Sequence, residues 1–358
     1  MAVELKSNRL EVDDATLDEL FYERGWTDGL PIVPPTPERV TQALRGTSRD
    51  PSAVIGPVPP KMGVATVEKI AVNAVMAGCL PQHLPVVIAA VEAMLAPEFN
   101  LGGCQATTHP VAPLLVVNGP IAEALEIGCG HNCFGQGPRA NAVIGRAIRL
   151  VLLNIGGAVP GKLDHATQGS PAKYAYCVAE NERQSPWEPL HVERGYDRSA
   201  STVTVIGAEA PHNINDHGSY TAPGLLKTIA ETLCQPGSNN AYMQHDGPWI
   251  VIGPEHAATI AGDGWSKQQV KEYLYEHSQI PIERYSRENI EQMLMSRWNG
   301  DVQARARRWL KDAAQTFRVP LCTRAEDMHV MVAGGAGKHS LFIPTFGATV
   351  AVTRPVTQ

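Results

Sequence analysis

Two eleven-residue stretches that read alike constrain this chain most: PVVIAAVEAML at residues 85–95 and PGLLKTIAETL at residues 223–233. Each is a helix pattern opened by proline, whose fixed φ and missing N–H suit a first helical turn. The same parts then follow in the same order. After the first stretch come a polar loop ending in TTHP (107–110), a strand-like run over 113–117, an Asn-Gly-Pro turn, a helix over 121–127 and a longer one over 139–153. After the second come a loop ending in MQHDG (243–247), a run over 248–252, a Gly-Pro turn, and helices over 255–261 and 266–277. Short apolar strands between amphipathic helices predict an α/β fold. The repetition predicts two related helix-loop-strand-helix halves in a pseudo-twofold arrangement. That arrangement would carry the loops of His109 and His245 to comparable edges, where ligands commonly bind.

The flanking segments carry different signals. Thr16 with Glu19 forms a capping-box pattern ahead of Leu17, Leu20 and Phe21, which predicts a short first helix. The run WTDGLPIVPPTP (26–37) cannot be helical until Thr36 and Pro37 open a new helix, and GPVPPKMG (56–63) is a second extended connector. Residues 1–63 therefore read as a proline-rich arm with short helices, 64–195 as the first α/β half and 196–285 as the second. Residues 286–358 read as a helical segment, over 286–298 and 301–317, with a closing strand-loop unit: MHVMVA, GGAGKHS and TVAVT. Arg305, Arg307, Arg308 and Lys311 on the second of those helices read as a solvated face beside one apolar stripe.

Composition narrows the function. At 358 residues, with 44% hydrophobic side chains, the chain can bury about two domain-sized cores without staples. Thirty basic against 36 acidic side chains, a net charge of −6, argue against a nucleic-acid partner, which needs clustered cations. The start lacks the apolar core of a secretory signal, and prolines interrupt the long uncharged stretch at 70–91, so no membrane segment is expected and the setting reads as cytoplasmic. The seven cysteines are scattered and odd in number, which predicts reduced thiols.

Candidate chemistry falls in loops. The segment GCGHNCFGQGP (128–138) holds Cys129, His131, Asn132 and Cys133 among four glycines, and Arg139 and Asn141 start the following helix. Backbone amides freed by glycine and a helix N-terminus favour an anion there. In the tail, Gly335, Gly337, Lys338, His339 and Ser340 offer amides and an ammonium to a carboxylate or phosphate. Val332 stands where a P-loop would have its first glycine, and no complete Gly-x-Gly-x-x-Gly follows a strand, so no nucleotide cofactor is expected. Cys104 with His109 has the makings of a thiolate nucleophile and its base, and His245 with Asp246 those of an acid-base dyad. His212, Asp216 and His217, with His245, supply the alternative of an open divalent-metal site.

The segments TDGLPIVPPTPERV (27–40), GPRANAVIGRAIRLVLLNIGG (137–157) and GGAGKHS (334–340) resemble a bacterial family found beside or fused to UGSC proteins, named for a selenocysteine-Gly-Ser-Cys motif. The resemblance covers most of the chain and implies small-molecule metabolism with a second subunit. No Cys-Gly-Ser-Cys occurs here, so that motif's redox role is carried onto no residue. The expectation is an enzyme, a hydrolase or lyase, that works on a polar or anionic small molecule as a homo-oligomer or with a second subunit. In it His245 and Asp246 move protons, His109 faces them, Cys104 adds covalent catalysis, and Arg139, Asn141 and Lys338 bind substrate. A metal-dependent hydrolase or lyase and a non-catalytic subunit beside a UGSC-type partner are the alternatives.

Overall fold

Local signals place most element boundaries in the computed structural model, which describes residues 5–13 and 16–357. Thr36 accepts a hydrogen bond from the Arg39 amide to start the helix Pro37–Leu44, and Thr66 does the same from Lys69 for Val67–Ala77, which stops at Gly78 with φ of 90°. Ser266 and Gln269 form the expected reciprocal box at the head of Lys267–His277. The first helix, Leu17–Glu23, is present, but the Thr16 hydroxyl donates to the Asp13 carbonyl and caps no helical amide. Over 287–297 the expected helix includes a π-helical turn, Ile290–Leu294.

The strands, in chain order, are β1 Val54–Val58, β2 Gly63–Thr66, β3 Ala112–Asn118, β4 Cys177–Ala179, β5 Thr202–Ala208, β6 His212–Asn215, β7 Trp249–Ile252, β8 Ile280–Pro281, β9 Arg318–Val319, β10 His329–Val332, β11 His339–Ile343 and β12 Val352–Pro355. The fold is mixed α/β, with two four-stranded sheets and two small antiparallel pairs, β1 with β2 and β8 with β9. The chain forms two compact units. One holds residues 1–180, 191–207 and 351–358, and the other holds 181–190 and 208–350. This division puts the last strand, β12, with the first unit, whereas the sequence pattern groups it with the segment before it.

In the first unit the sheet order is β12-β5-β3-β4; β3 and β4 run parallel, and β12 is antiparallel to β5. Every residue of β3 and β5 is buried, as continuous apolar central strands should be. The helix Leu84–Met94 is apolar on all sides and buried except at Glu92, whose carboxylate meets Arg49 at 2.6 Å. It packs on β12 and on the helices Val67–Ala77 and Arg139–Asn154, an interior position that explains its composition. No single helix among the described residues is long and apolar enough to cross a membrane. The proline-rich arm is stitched to this helical layer. The Val33 amide donates to the Met76 carbonyl and Asn154 Nδ2 to the Trp26 carbonyl, while Asp28 pairs with Arg146.

In the second unit the order is β10-β7-β11-β6. Here β7 and β10 are parallel, and β11 is antiparallel to both of its neighbours. The helix Ala222–Leu233 packs on Pro254–Gly262, Lys267–His277, β6 and β11 around a core that includes Leu225, Ile250, Val330 and Phe342.

Candidate functional site

A cavity of about 570 Å³ opens in the first unit, between the arm, the helix Arg139–Asn154 and the loop over 158–174. Its charged lining comes from Asp28, Arg149, Asp164 and Lys173, and Leu153, Pro160, Pro171 and Tyr174 contribute apolar walls. The loop is folded by its own backbone: the amides of Lys162, Leu163 and Asp164 all donate to the Val159 carbonyl, and Gly161 (φ 74°) donates back to the Asp164 carbonyl. That tight turn and the short 3₁₀ helix Pro171–Lys173 bring two residues nine apart together. Lys173 Nζ donates to both Asp164 oxygens, at 2.8 and 2.6 Å.

The cation above this pair is held differently. Arg149 Nε donates to the Lys173 carbonyl at 2.6 Å, and no carboxylate among the described residues lies within ion-pairing distance of its guanidinium. Its outer N–H groups therefore offer the planar fork that matches a carboxylate or phosphate. Burial lowers the Arg149 pKa from its ordinary value, against the pull of the Asp164 and Asp28 charges. Burial also lowers that of Lys173. The hydrogen bond that Lys173 donates to Asp164, with the carboxylate's charge, opposes this, and the neighbouring positive charge of Arg149 adds to the fall. Ser170 Oγ, in the same lining, is buried without a hydrogen-bond partner.

The charge that the arm brings to the cavity is neutralised by the chain itself. Arg146 clamps Asp28 through Nε at 2.9 Å and Nη2 at 2.8 Å, and Nη2 also donates to the carbonyls of Leu30 and Pro31. Burial opposes ionisation of Asp28, but the hydrogen bonds and charge of Arg146, with the Leu30 amide, outweigh it and hold the carboxyl below its ordinary range.

The residues singled out in the sequence lie elsewhere. Cys104 is buried in the helix Leu101–Ala106, and its thiol donates to the Phe99 carbonyl at 3.8 Å; nothing in that contact activates it as a nucleophile. His109 is half-buried, with its amide on Thr107 Oγ1. Asn141 is a buried clamp, its Oδ1 accepting from the Gly128 amide while Nδ2 donates to the carbonyls of Gly128 and Cys133. Asn132, at φ of 56°, closes the same loop on the Gln136 carbonyl, Cys133 is buried, Cys129 is half-buried and His131 points to solvent. Of the loop's glycines, Gly137 takes a positive φ of 127°. Arg139 is exposed beside a separate 200 Å³ cleft near Cys79.

In the second unit the expected dyad of His245 and Asp246 does not form. Asp246 turns inward onto His329 Nε2 at 2.6 Å and accepts from the Gly247 amide, while His245 is exposed. The glycine loop does hold a carboxylate, but it belongs to the chain: the Gly337 amide donates to Glu255 Oε1 at 2.7 Å, and Lys338 Nζ donates to the His217 carbonyl. The anion position predicted for Gly335, Gly337 and Lys338 is thus filled from within. Ser340 Oγ accepts from the Gly253 amide and meets His256 Nδ1 at 2.8 Å; His256 Nε2 lies 3.0 Å from the Asp216 carbonyl, which can only accept. This fixes the tautomer, so Ser340 donates to Nδ1. His339 faces His217, with the two Nε2 atoms 3.4 Å apart.

The side chains of the metal alternative are placed in the same region. Both Asp216 oxygens are consumed by the Gly218 and Ser219 amides and the Ser219 and Thr228 hydroxyls, which, against the effect of burial, lower its pKa to about 2. His212 opens β6 on the solvent side. Among the described residues no three His, Cys, Asp or Glu side chains gather where they could hold an ion.

Sequence reasoning passed over Asp28, Arg149, Asp164 and Lys173. A signal existed for two of them: Arg146 and Arg149 stand three apart in a helix that is mostly apolar after Asn141, and Asp28 lies in the TDGLP run. Asp164 and Lys173 had none, since only the folded loop joins them. No known protein family, curated protein or solved structure matches this chain.

Proposed function

We propose that the chain is a small-molecule enzyme whose first unit binds the anionic group of its substrate on Arg149 and moves a proton with the Lys173–Asp164 pair, in a hydrolysis or elimination. The observation that carries this reading is the Arg149 fork, without a carboxylate partner, in a cavity large enough for a small ligand. A lysine held on a carboxylate, with burial favouring its neutral form, is equipped to exchange a proton with a bound group. The experiment is a thermal-unfolding screen of the full chain against small carboxylates and phosphates, run in parallel on Arg149→Met. Stabilisation of the natural chain by anions, lost in the variant, is the expected result; no stabilisation by any anion, or equal stabilisation of both proteins, refutes it.

The same proposal treats the two units as related halves. From Leu84–Met94 the chain continues through a short helix to β3, the helices Pro120–Ala124 and Arg139–Asn154, β4 and β5. From Ala222–Leu233 it continues through a short helix to β7, the helices Pro254–Gly262 and Lys267–His277, and then β10 and β11, with β8, the helix Gly300–Lys311 and β9 inserted ahead of β10. In each sheet the first strand so reached, β3 or β7, lies between the second, β4 or β10 and parallel to it, and the third, β5 or β11. The fourth position is occupied by β12 from the chain end in one sheet and by β6, ahead of its helix, in the other. An experimental structure in which the crossovers from β3 to β4 and from β7 to β10 have opposite hands would break the correspondence.

A further inference from the structure

We infer that the ligand of the first-unit cavity is a monoanion with an apolar body, most simply a monocarboxylate; this rests on the reading of Arg149 as the anion anchor. The argument is one of charge balance. Four of the five ionised groups around the cavity cancel in pairs, Asp28 with Arg146 and Asp164 with Lys173. Arg149 remains, leaving one uncompensated positive charge in a partly desolvated wall, and a single negative charge satisfies it.

A second negative charge on the ligand finds no free cation among the described residues of the lining. Lys173 could serve it only by leaving Asp164, whose two oxygens it holds at 2.8 and 2.6 Å, and that would strand a buried carboxylate. Arg146 is equally committed, to Asp28 and to two backbone carbonyls. A dicarboxylate or a phosphate dianion is therefore disfavoured, and a neutral ligand leaves the Arg149 fork unmatched. Around the charge the walls are apolar, from Leu153, Ala158, Pro160, Pro171 and Tyr174. They suit a hydrocarbon or aryl body, and Ser170 Oγ, buried and without a partner, is placed to meet one further polar atom.

A matched probe series tests this by isothermal titration of the full chain near neutral pH: phenylacetate, its neutral isostere phenylacetamide, the dianion phenylsuccinate, acetate, and inorganic phosphate. Phenylacetate is expected to bind at least about tenfold tighter than phenylacetamide, the ratio a charge-assisted hydrogen bond supplies. It should also bind tighter than acetate, which lacks the body, while phenylsuccinate and phosphate bind no better than phenylacetate. In Arg149→Met the preference over the amide should vanish, and Arg149→Lys, which keeps the charge without the fork, should restore part of it. Tighter binding of phenylsuccinate or phosphate overturns the monoanion assignment and leaves Arg149 standing as an anchor. Loss of the preference in neither variant, or binding of none of the probes, overturns the anchor as well.

Discussion

Replacing Asp28 with Asn tests the clamp that ties the proline-rich arm to the cavity wall. The substitution keeps the shape and removes the charge that Arg146 grips at 2.9 and 2.8 Å, with side chains only 4% and 16% exposed. Breaking a buried pair from one side costs about 3–5 kcal/mol. Arg146 keeps the Leu30 and Pro31 carbonyls, which puts the loss at the lower end, about 3 kcal/mol. For a unit of about 200 residues that is a fall of roughly 6–12 °C in the transition of the first unit. Urea unfolding at several pH values supplies a second readout. Because the folded pKa of Asp28 lies below the unfolded value of 3.8, its contribution is complete above that value and is lost as pH falls through the lower folded pKa. The stability gap between natural chain and variant should therefore be constant at neutral pH and shrink on acidification below 3.8. A gap under about 1 kcal/mol at pH 7, a surface-pair value, or one that persists unchanged in acid, would refute the reasoning.

Other substitutions probe packing and the second unit. Gly145→Ala would place a methyl 2.5 Å from the Tyr176 amide nitrogen, and thermal unfolding should show a loss of about 2 kcal/mol or more, since backbone cannot yield as a side chain does. Ser340→Ala removes the acceptor of the Gly253 amide and the partner of His256; denaturant titration should register roughly 1–3 kcal/mol. Burial lowers the His256 pKa below 6.5, against the Asp216 carbonyl and charge and with the help of His339 and Lys338. Stability of the second unit should therefore be complete above that value and decline as pH falls through the folded pKa, and a flatter profile is expected for His256→Gln. Burial pushes the Cys177 thiol up to about 12, and those of Cys79 and Cys322 up as well. Mass spectrometry after iodoacetamide at pH 8 should find these three unmodified in the folded protein and modified in denaturant.

Legibility in the sequence divided along the range of the forces involved. Helix starts at Thr36 and Ser266 depend on hydrogen bonds reaching three residues, and the buried runs of β3 and β7 announce themselves by unbroken apolar side chains. Such features are local and survive in one dimension. Partner choice is not local. Asp246 is expected beside its chain neighbour His245, yet it bonds His329, because adjacent side chains diverge and the parallel pairing of β7 with β10 supplies an inward partner. The same holds for Asp164 and Lys173, joined by a folded loop, and for the Gly337 amide, already satisfied by Glu255. Sequence alone determined the mixed α/β class and the positions of several helices and apolar strands. The tertiary structure decided which charges cancel and left Arg149 as the one cation of the cavity lining without a carboxylate, because electrostatic pairing is settled by distance in space and burial, neither of which the order of residues contains.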